Sequence, residues 1–409
     1  MSQPLPLDRF RWLTQWEISC LDVMSIPEDN SEGYFLEVDL EYPSALHDYH
    51  NDLPFCPEQL KTSANKHAPR KLIATLHDNE KYILHYRYLQ VALRHGLRLK
   101  KIHRVLAFRQ KRWLADYINL NNRRKTVATD AFSRDLFKLL NNSVFGKFLV
   151  SVRKRREFVL TRSSTYIQKL VRKTNFKNRV ILNEQANLVL VELAKTSVLF
   201  DKFIPAGAAI LDLSKAHMYK MHHDVMKLRV FPEERITMAY MDTDSFTYHI
   251  EIPSLTERLL VNKAYFDFSN YPPDHVLYDL TNKGVLGKMK DEVRGEFMTE
   301  FCALKAKMYA FVVGGDRESK KAKGVKKSTV RKTLNFRDYV NSLRNEQLIY
   351  RTMQSIRSFR QQMHTIEQKK LALSSSDDKR CVLEDGVHTL AWGHCDIPRE
   401  EDLIHILNH

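Results

Sequence analysis

The stretch ITMAYMDTDSFTYHIEI, residues 236–252, decides how the rest of the chain is read. Two apolar, β-prone runs flank a short polar turn, the pattern of a hairpin. At its tip Asp242 and Asp244 lie two positions apart, so they point to the same side of an extended chain. Crowding two carboxylates is costly unless cations neutralise them. Magnesium meets that need, because it takes oxygen ligands from one or two carboxylates and from substrate phosphates. Taken alone, the string reads equally well as a solvated acidic turn, since Asp, Thr and Ser are ordinary turn formers.

A second acidic strand end shifts that balance. GYFLEVDLEY (33–42) reads as a strand ended by Pro43. Glu37, Asp39 and Glu41 alternate along it and share one face, an unusual face for a core strand. If Asp39 meets Asp244, a two-metal site becomes available, with ions about 3.5–4 Å apart around an in-line phosphoryl transfer. KLLNNSVFG (138–146) supplies a holder for the triphosphate. Lys138, Asn142 and Phe145 share one helix face beside an apolar stripe of Phe137, Leu140 and Val144. Lys138 can donate to phosphate oxygens and Asn142 can hydrogen-bond the nucleotide, while Phe145 with Gly146 lets a base pair approach closely.

Composition agrees with an anionic partner. Across 409 residues, 65 Lys+Arg against 49 Asp+Glu leave a net charge of +16, and 43% hydrophobic residues exclude a disordered chain. Five scattered cysteines (Cys20, Cys56, Cys302, Cys381, Cys395) with no CxxC argue against a disulfide framework and against a short-spaced zinc motif; Cys381 and Cys395 are expected to be unpaired. No apolar run reaches spanning length and the first residues carry no secretory pattern, so an intracellular protein without a membrane segment is expected.

Along the chain, helical and strand-like patterns mix over 82–108, and two helices follow, separated near 121–129. A strand and a basic helix are expected over 158–176, buried helices over 183–200 and 208–228, a strand at 308–314, and helices over 333–372. His222 and His223 lack ligand-type neighbours at convincing spacing and are expected at the surface. Arg109, Lys111 and Arg112, and the run Lys320, Lys321, Lys323, Lys326 and Lys327, are candidate phosphate contacts or plain basic surface.

Together these strings resemble the motifs of family B DNA polymerases. KLLNNSVFG resembles Kx3NSxYG, with Phe145 in place of the usual Tyr; YMDTDS resembles YxDTDS; VDLEYP (38–43) resembles DxxSLYP. LKAKMYAF (304–311) is similar to the KxY motif of the protein-primed branch, found in viruses, linear plasmids and self-synthesising transposons. The resemblance implies a mixed α+β right-hand polymerase, with an antiparallel palm sheet, helical fingers and a C-terminal thumb. It implies an N-terminal palm segment over 1–80, fingers and nucleotide helix over 81–160, palm over 161–315, and basic thumb and tail over 316–409.

It further implies DNA-templated addition of deoxynucleotides with two Mg2+ ions, or Mn2+. Asp39 and Asp244 are then the main metal ligands, with Asp242 beside them. Lys138, Asn142, Phe145 and Arg112 face the incoming nucleotide. Tyr42 lies under its sugar as a steric gate, and Lys305, Lys307 and Tyr309 face primer-template DNA. A terminal protein primer is implied by the KxY likeness. A domesticated remnant that binds DNA without synthesis is the alternative.

Two departures stand out. The Asp of DxxSLYP precedes Tyr by five positions, which here is Glu37, whereas Asp39 precedes Tyr42 by three. Either can be the ligand, and the shorter Asp39, which demands a closer and stiffer site, is preferred. The first motif also begins within forty residues of the start, so the 3′–5′ exonuclease region and proofreading are expected to be absent.

Overall fold

The computed structural model describes residues 1–61, 70–232, 235–359 and 362–398. Its centre is a four-stranded antiparallel sheet in the order Leu5–Trp12, Arg98–Lys111, Glu32–Glu41, Asn79–His85. The acidic strand Glu32–Glu41 is therefore interior, paired on both edges. Its alternation divides it as the sequence predicts. Leu36, Val38 and Leu40 are buried on one face, and Glu37, Asp39 and Glu41 are half-buried on the other.

The acidic face persists because the neighbouring strand RLKKIHR (98–104) is basic. In register, Glu37 lies opposite Arg104 and Asp39 opposite Lys101. Arg104 makes a two-pronged contact with Glu37 at 2.7 and 3.1 Å, His103 lies 2.8 Å from Asp39, and Lys100 pairs with Glu41. Cross-strand opposite charges of this kind favour pairing, where like charges would oppose it.

The buried face packs on helix Tyr86–Arg94, through Tyr86, Tyr88 and Leu89, and on Ala216 and Tyr219 of helix Ile204–Lys220. Met238, Met241 and Phe246 of the hairpin Arg235–Met241/Phe246–Glu251 pack against the same core. The hairpin is also tied to the segment after the acidic strand, where Asp52 accepts from the backbone N–H of Met238 at 2.9 Å.

Helix Ala131–Phe148 begins at Asp130, whose side chain accepts from Ser133 N–H, and has no fully buried residue. It leans through Val144, Phe145 and Phe148 on a small core that includes Phe35, Ile210 and Leu213. Phe35 lies on the same strand face as Glu37 and Asp39. A second body combines a three-stranded sheet, Met298–Lys305, Met308–Val313 and Arg317–Ala322, with helices Lys327–Thr333 and Phe336–Arg344.

Three expectations are corrected. The stretch 183–200 is not a helix: Leu188–Ala194 is the middle strand of a three-stranded sheet. Val189, Val191 and Leu193 are buried at a period of two, under helix Ser164–Val171. Over 333–372 only the first part is helical, and Ile349–Phe359 pairs with Gln362–Leu373 in a long antiparallel hairpin. Its end, Ile349 and Leu373, is anchored in the second core, so tertiary burial and strand pairing override the helix-forming Arg, Gln and Lys content. His222 and His223 are buried, because Ile204–Lys220 continues as a π-helix, Met221–Val230, that turns both rings inward.

Residues 374–398 return to the first body. Arg380 donates to the backbone and side-chain oxygens of Asn51 at 2.9 Å, and Leu76 N–H donates to Trp392 carbonyl at 2.8 Å. Cys20, Cys56, Cys302 and Cys395 are free thiols.

His85 is fully buried against Phe35, Tyr86 and Phe108, and burial lowers its pKa from 6.5 to about 3. The folded chain keeps this ring neutral in a range where the unfolded chain binds a proton, so stability falls as pH drops from about 6.5 towards 3. Urea midpoints measured across that window should decline, and His85→Phe should decline less steeply. An unchanged slope in the variant would rule out this contribution.

Candidate active site

The tip of the hairpin is a tight turn in which Asp242 N–H donates to Ser245 carbonyl at 3.1 Å and Asp244 N–H to Asp242 carbonyl at 2.7 Å. Thr243 closes it at φ +64°, a left-handed conformation that a β-branched residue rarely adopts. Strain of this sort persists only where the surroundings over-determine it. Here the surroundings are a second turn. Lys307, itself at φ +62°, donates its backbone N–H to the Tyr240 hydroxyl at 2.7 Å and its ammonium to Asp242 at 2.9 Å. Tyr240 packs on Tyr309, ring centres 4.8 Å apart, and Tyr309 stacks on Phe311.

The DTD turn and the KxY-like strand end, distant in sequence, are thus clasped by one lysine. The Asp242 carboxylate raises the Lys307 pKa through that hydrogen bond, and burial raises those of Tyr240 and Tyr309. The lysine is largely exposed, so the ion pair itself contributes at most about 1 kcal/mol. Its directional bonds are what fix the two turns.

The remaining predicted residues fall into three places. Asp39 accepts from Lys81 N–H at 2.8 Å and stands beside His103, and these two contacts, in that order, lower its pKa. Arg104 lowers that of Glu37. Lys138 and Asn142 are exposed on helix Ala131–Phe148 with Phe145 half-buried, and nothing lies within 4 Å of where a side chain would start at Gly146. Tyr42 is buried, its hydroxyl 2.9 Å from His50 Nδ1 and accepting from Phe55 N–H at 3.2 Å. Arg112 is exposed and Lys305 half-buried, while Arg109 is committed to Asp8.

The carboxylates suit magnesium in kind, being oxygen donors only. Asp244 is exposed, and among the described residues no donor reaches its carboxylate. The three aspartates are not gathered, however. Among the described residues, the groups of three or more ligand-type side chains with ligand atoms within 4.8 Å of one another are His50, His95 and His223, and His394, Cys395 and Asp396. Potential metal-binding clusters are therefore present, but Asp39 and Asp244 do not form one in this arrangement.

Sequence reasoning missed the Lys307 clasp, although the charge of Lys307 and the register of its turn were available. It also missed His103 and Arg104 as partners of the acidic strand, which the basic alternation of 98–104 signals. A cavity of about 340 Å³ opens beside Glu37 and Arg104, under Pro205, Ala208 and Leu211 of helix Ile204–Lys220. Neither composition nor motif spacing points to it.

A frame that carries paired aspartates on a hairpin, an acidic strand inside an antiparallel sheet and an exposed Lys–Asn helix is the frame of right-hand polymerases. The structure resembles phi29 DNA polymerase bound to primer-template DNA and incoming nucleotides, with a TM-score of 0.53 at 16% identity over 91% of this chain and 55% of that one. The orthorhombic form of phi29 DNA polymerase gives 0.52 at 15% identity, with 91% and 55% covered. Its binary complex with primer-template DNA gives 0.51 at 14% identity, with 90% and 55% covered. The chain thus spans just over half the length of these structures.

The chain belongs to the family of type B DNA polymerases, organellar and viral, whose match covers residues 22–227, half of its length. That match includes the acidic strand and the Lys138 helix and stops short of the DTD hairpin. No curated protein matches the sequence.

Replacing Thr243 by Gly should relieve the turn and raise stability by about 1 kcal/mol in urea unfolding, because glycine adopts positive φ without steric cost. A destabilised variant would show that the turn is not strained.

Proposed function

We propose that the chain is a DNA-templated DNA polymerase that adds deoxynucleotides to a primer 3′-hydroxyl. The observation that carries this reading is the clasp of Asp242 and Tyr240 by Lys307, which joins two motifs of the family resemblance at one point. Asp244, Asp242 and Asp39 are the residues to hold two Mg2+ ions, or Mn2+. When bound, such ions lower the pKa of the attacking hydroxyl and stabilise the leaving pyrophosphate. Asp39 is preferred to Glu37, because Glu37 is held on both oxygens by an arginine that cannot lose its charge. Asp39 is held by one backbone N–H and one imidazole, and its carboxylate keeps lone pairs for a cation.

The chain's own groups do the rest. Lys138 donates to the triphosphate, Asn142 hydrogen-bonds the nucleotide, and Phe145 lies against the nascent base pair, with Arg112 as a further phosphate contact. Tyr42, its hydroxyl anchored to His50 and Phe55, holds a rigid ring against the sugar and leaves no volume for a 2′-hydroxyl. Lys305, Lys307 and Tyr309 face the primer-template, where lysine contacts to phosphate give affinity that weakens with salt.

In this reading 1–80 and 161–315 form the palm, 81–160 the fingers, and 316–409 the thumb and tail. A terminal protein would offer the first hydroxyl, in an intracellular viral, nuclear or organellar setting. Among the described residues, no helix is long and apolar enough to cross a membrane.

A second reading, DNA binding without synthesis, draws on the engagement of Asp39 by His103 and of Asp242 by Lys307. Primer extension separates the two. The wild type should extend with Mg2+ or Mn2+, and Asp244→Asn should lose at least about a hundredfold in rate while binding primer-template normally. Lys138→Ala should chiefly weaken nucleotide use. Salt-dependent binding without extension in either metal would favour the second reading, and extension by Asp244→Asn at the wild-type rate would refute the assignment of that residue.

A further inference from the structure

Away from the acidic residues, three histidines from three separate segments meet inside the first core. His50 follows the acidic strand, His95 caps helix Tyr86–Arg94, and His223 lies in the π-helix Met221–Val230. Each offers a ligand atom, and these atoms all lie within 4.8 Å of one another. The ring centres are 5.1 Å apart for His50 and His223, 5.0 Å for His95 and His223, and 6.4 Å for His50 and His95. Imidazoles on one tetrahedral ion, with metal–nitrogen bonds of about 2.0–2.1 Å, place their ring centres roughly 5 Å apart.

The hydrogen bonding points the same way. His50 and His223 are both fully buried. His50 uses Nδ1 on the Tyr42 hydroxyl and leaves Nε2 without a partner, and His223 places Nε2 3.4 Å from Leu53 carbonyl and leaves Nδ1 without one. Other buried imidazoles, His47, His85 and His222 among them, also keep an unpartnered nitrogen, and the pair at His50 and His223 is set apart by lying with His95 in one ligand cluster. His95 Nε2 lies 2.8 Å from Asp224, the carboxylate partner that commonly orients a metal-binding imidazole. Lys227, a cation on the same π-helix, directs its ammonium to the carbonyl of Tyr49. Burial keeps His50 and His223 neutral, the form that ligates.

We propose that His50, His95 and His223 form a structural site for a zinc-class divalent cation, distinct from any magnesium at the aspartates. Imidazole donors select zinc and its transition-metal neighbours over magnesium, which takes oxygen. The ion would tie the loop after the acidic strand to helix Tyr86–Arg94 and to the π-helix. With Nε2 of His50 on the ion, the ring proton stays on Nδ1 and donates to Tyr42, so the site fixes the tautomer that holds this tyrosine. The cluster His394, Cys395 and Asp396 is a weaker candidate, since it comprises consecutive residues and two of them are exposed.

Elemental analysis of the full chain, purified from zinc-supplemented cells without chelator, tests the site independently of any polymerase activity. About one zinc per chain is expected in the wild type, with a thermal midpoint that falls on treatment with a chelator and returns with zinc. His95→Ala and His223→Asn should lose the zinc and the midpoint response, while His222→Asn and Cys395→Ser keep both. Should His223→Asn fail to fold, His95→Ala, at the rim of the core, and cobalt substitution of the wild type still decide the matter. Tetrahedral cobalt absorption without a thiolate charge-transfer band supports the histidine site. A wild type without zinc and without response to added zinc or cobalt overturns the proposal, as does zinc retained by His95→Ala and lost by Cys395→Ser.

Discussion

Like charges can be gathered on a folded chain only where opposite charge meets them, and this constraint organises the molecule. Glu37, Asp39 and Glu41 lie on one face of an interior strand because Arg104, His103 and Lys100 of the neighbouring strand reach their carboxylates. At the other acidic point, Lys307 plays the same part for Asp242 and at the same time joins its turn to that of Tyr240. Each acidic element is thus held by a basic one from elsewhere in the chain. The basic excess of the sequence is partly an internal counterweight and not only a surface for an anionic partner.

This view bears on how the acidic residues are available to a cation. Among the described residues no donor reaches the Asp244 carboxylate, whereas Asp39 and Asp242 are already matched by protein groups. An incoming ion competes with an imidazole at one and an ammonium at the other. The lysine can turn away by virtue of a long stem that reaches phosphate as readily as carboxylate. Glu37 differs, because a planar guanidinium grips both of its oxygens.

Much of the frame was legible in the sequence. The alternation in GYFLEVDLEY, the DTD hairpin and the helix around Lys138 are local patterns with strong periodicity, and the structure keeps each of them. What failed did so for tertiary reasons. LVLVELA was read as a buried helix because short apolar runs do not declare their period, and its pairing with Arg156–Thr161 and Phe176–Asn183 decides the matter. The hairpin after Ile349 is polar along most of its length and pairs by register. His222 and His223 looked like surface residues because no ligand lies near them in sequence; His50 and His95 reach His223 from far away. The Lys307 clasp spans 65 positions, beyond any local pattern.

The return of residues 374–398 to the first body carries a consequence for how the chain is made. Asn51 is bonded to Arg380 and to the backbone N–H of Ala391, more than three hundred positions further on. During synthesis the loop beyond the acidic strand must wait, with these polar groups in water, until residues 380–391 have left the ribosome. Its final ordering is therefore a late event, and a nascent chain stalled earlier would carry a finished central sheet beside an unfinished rim.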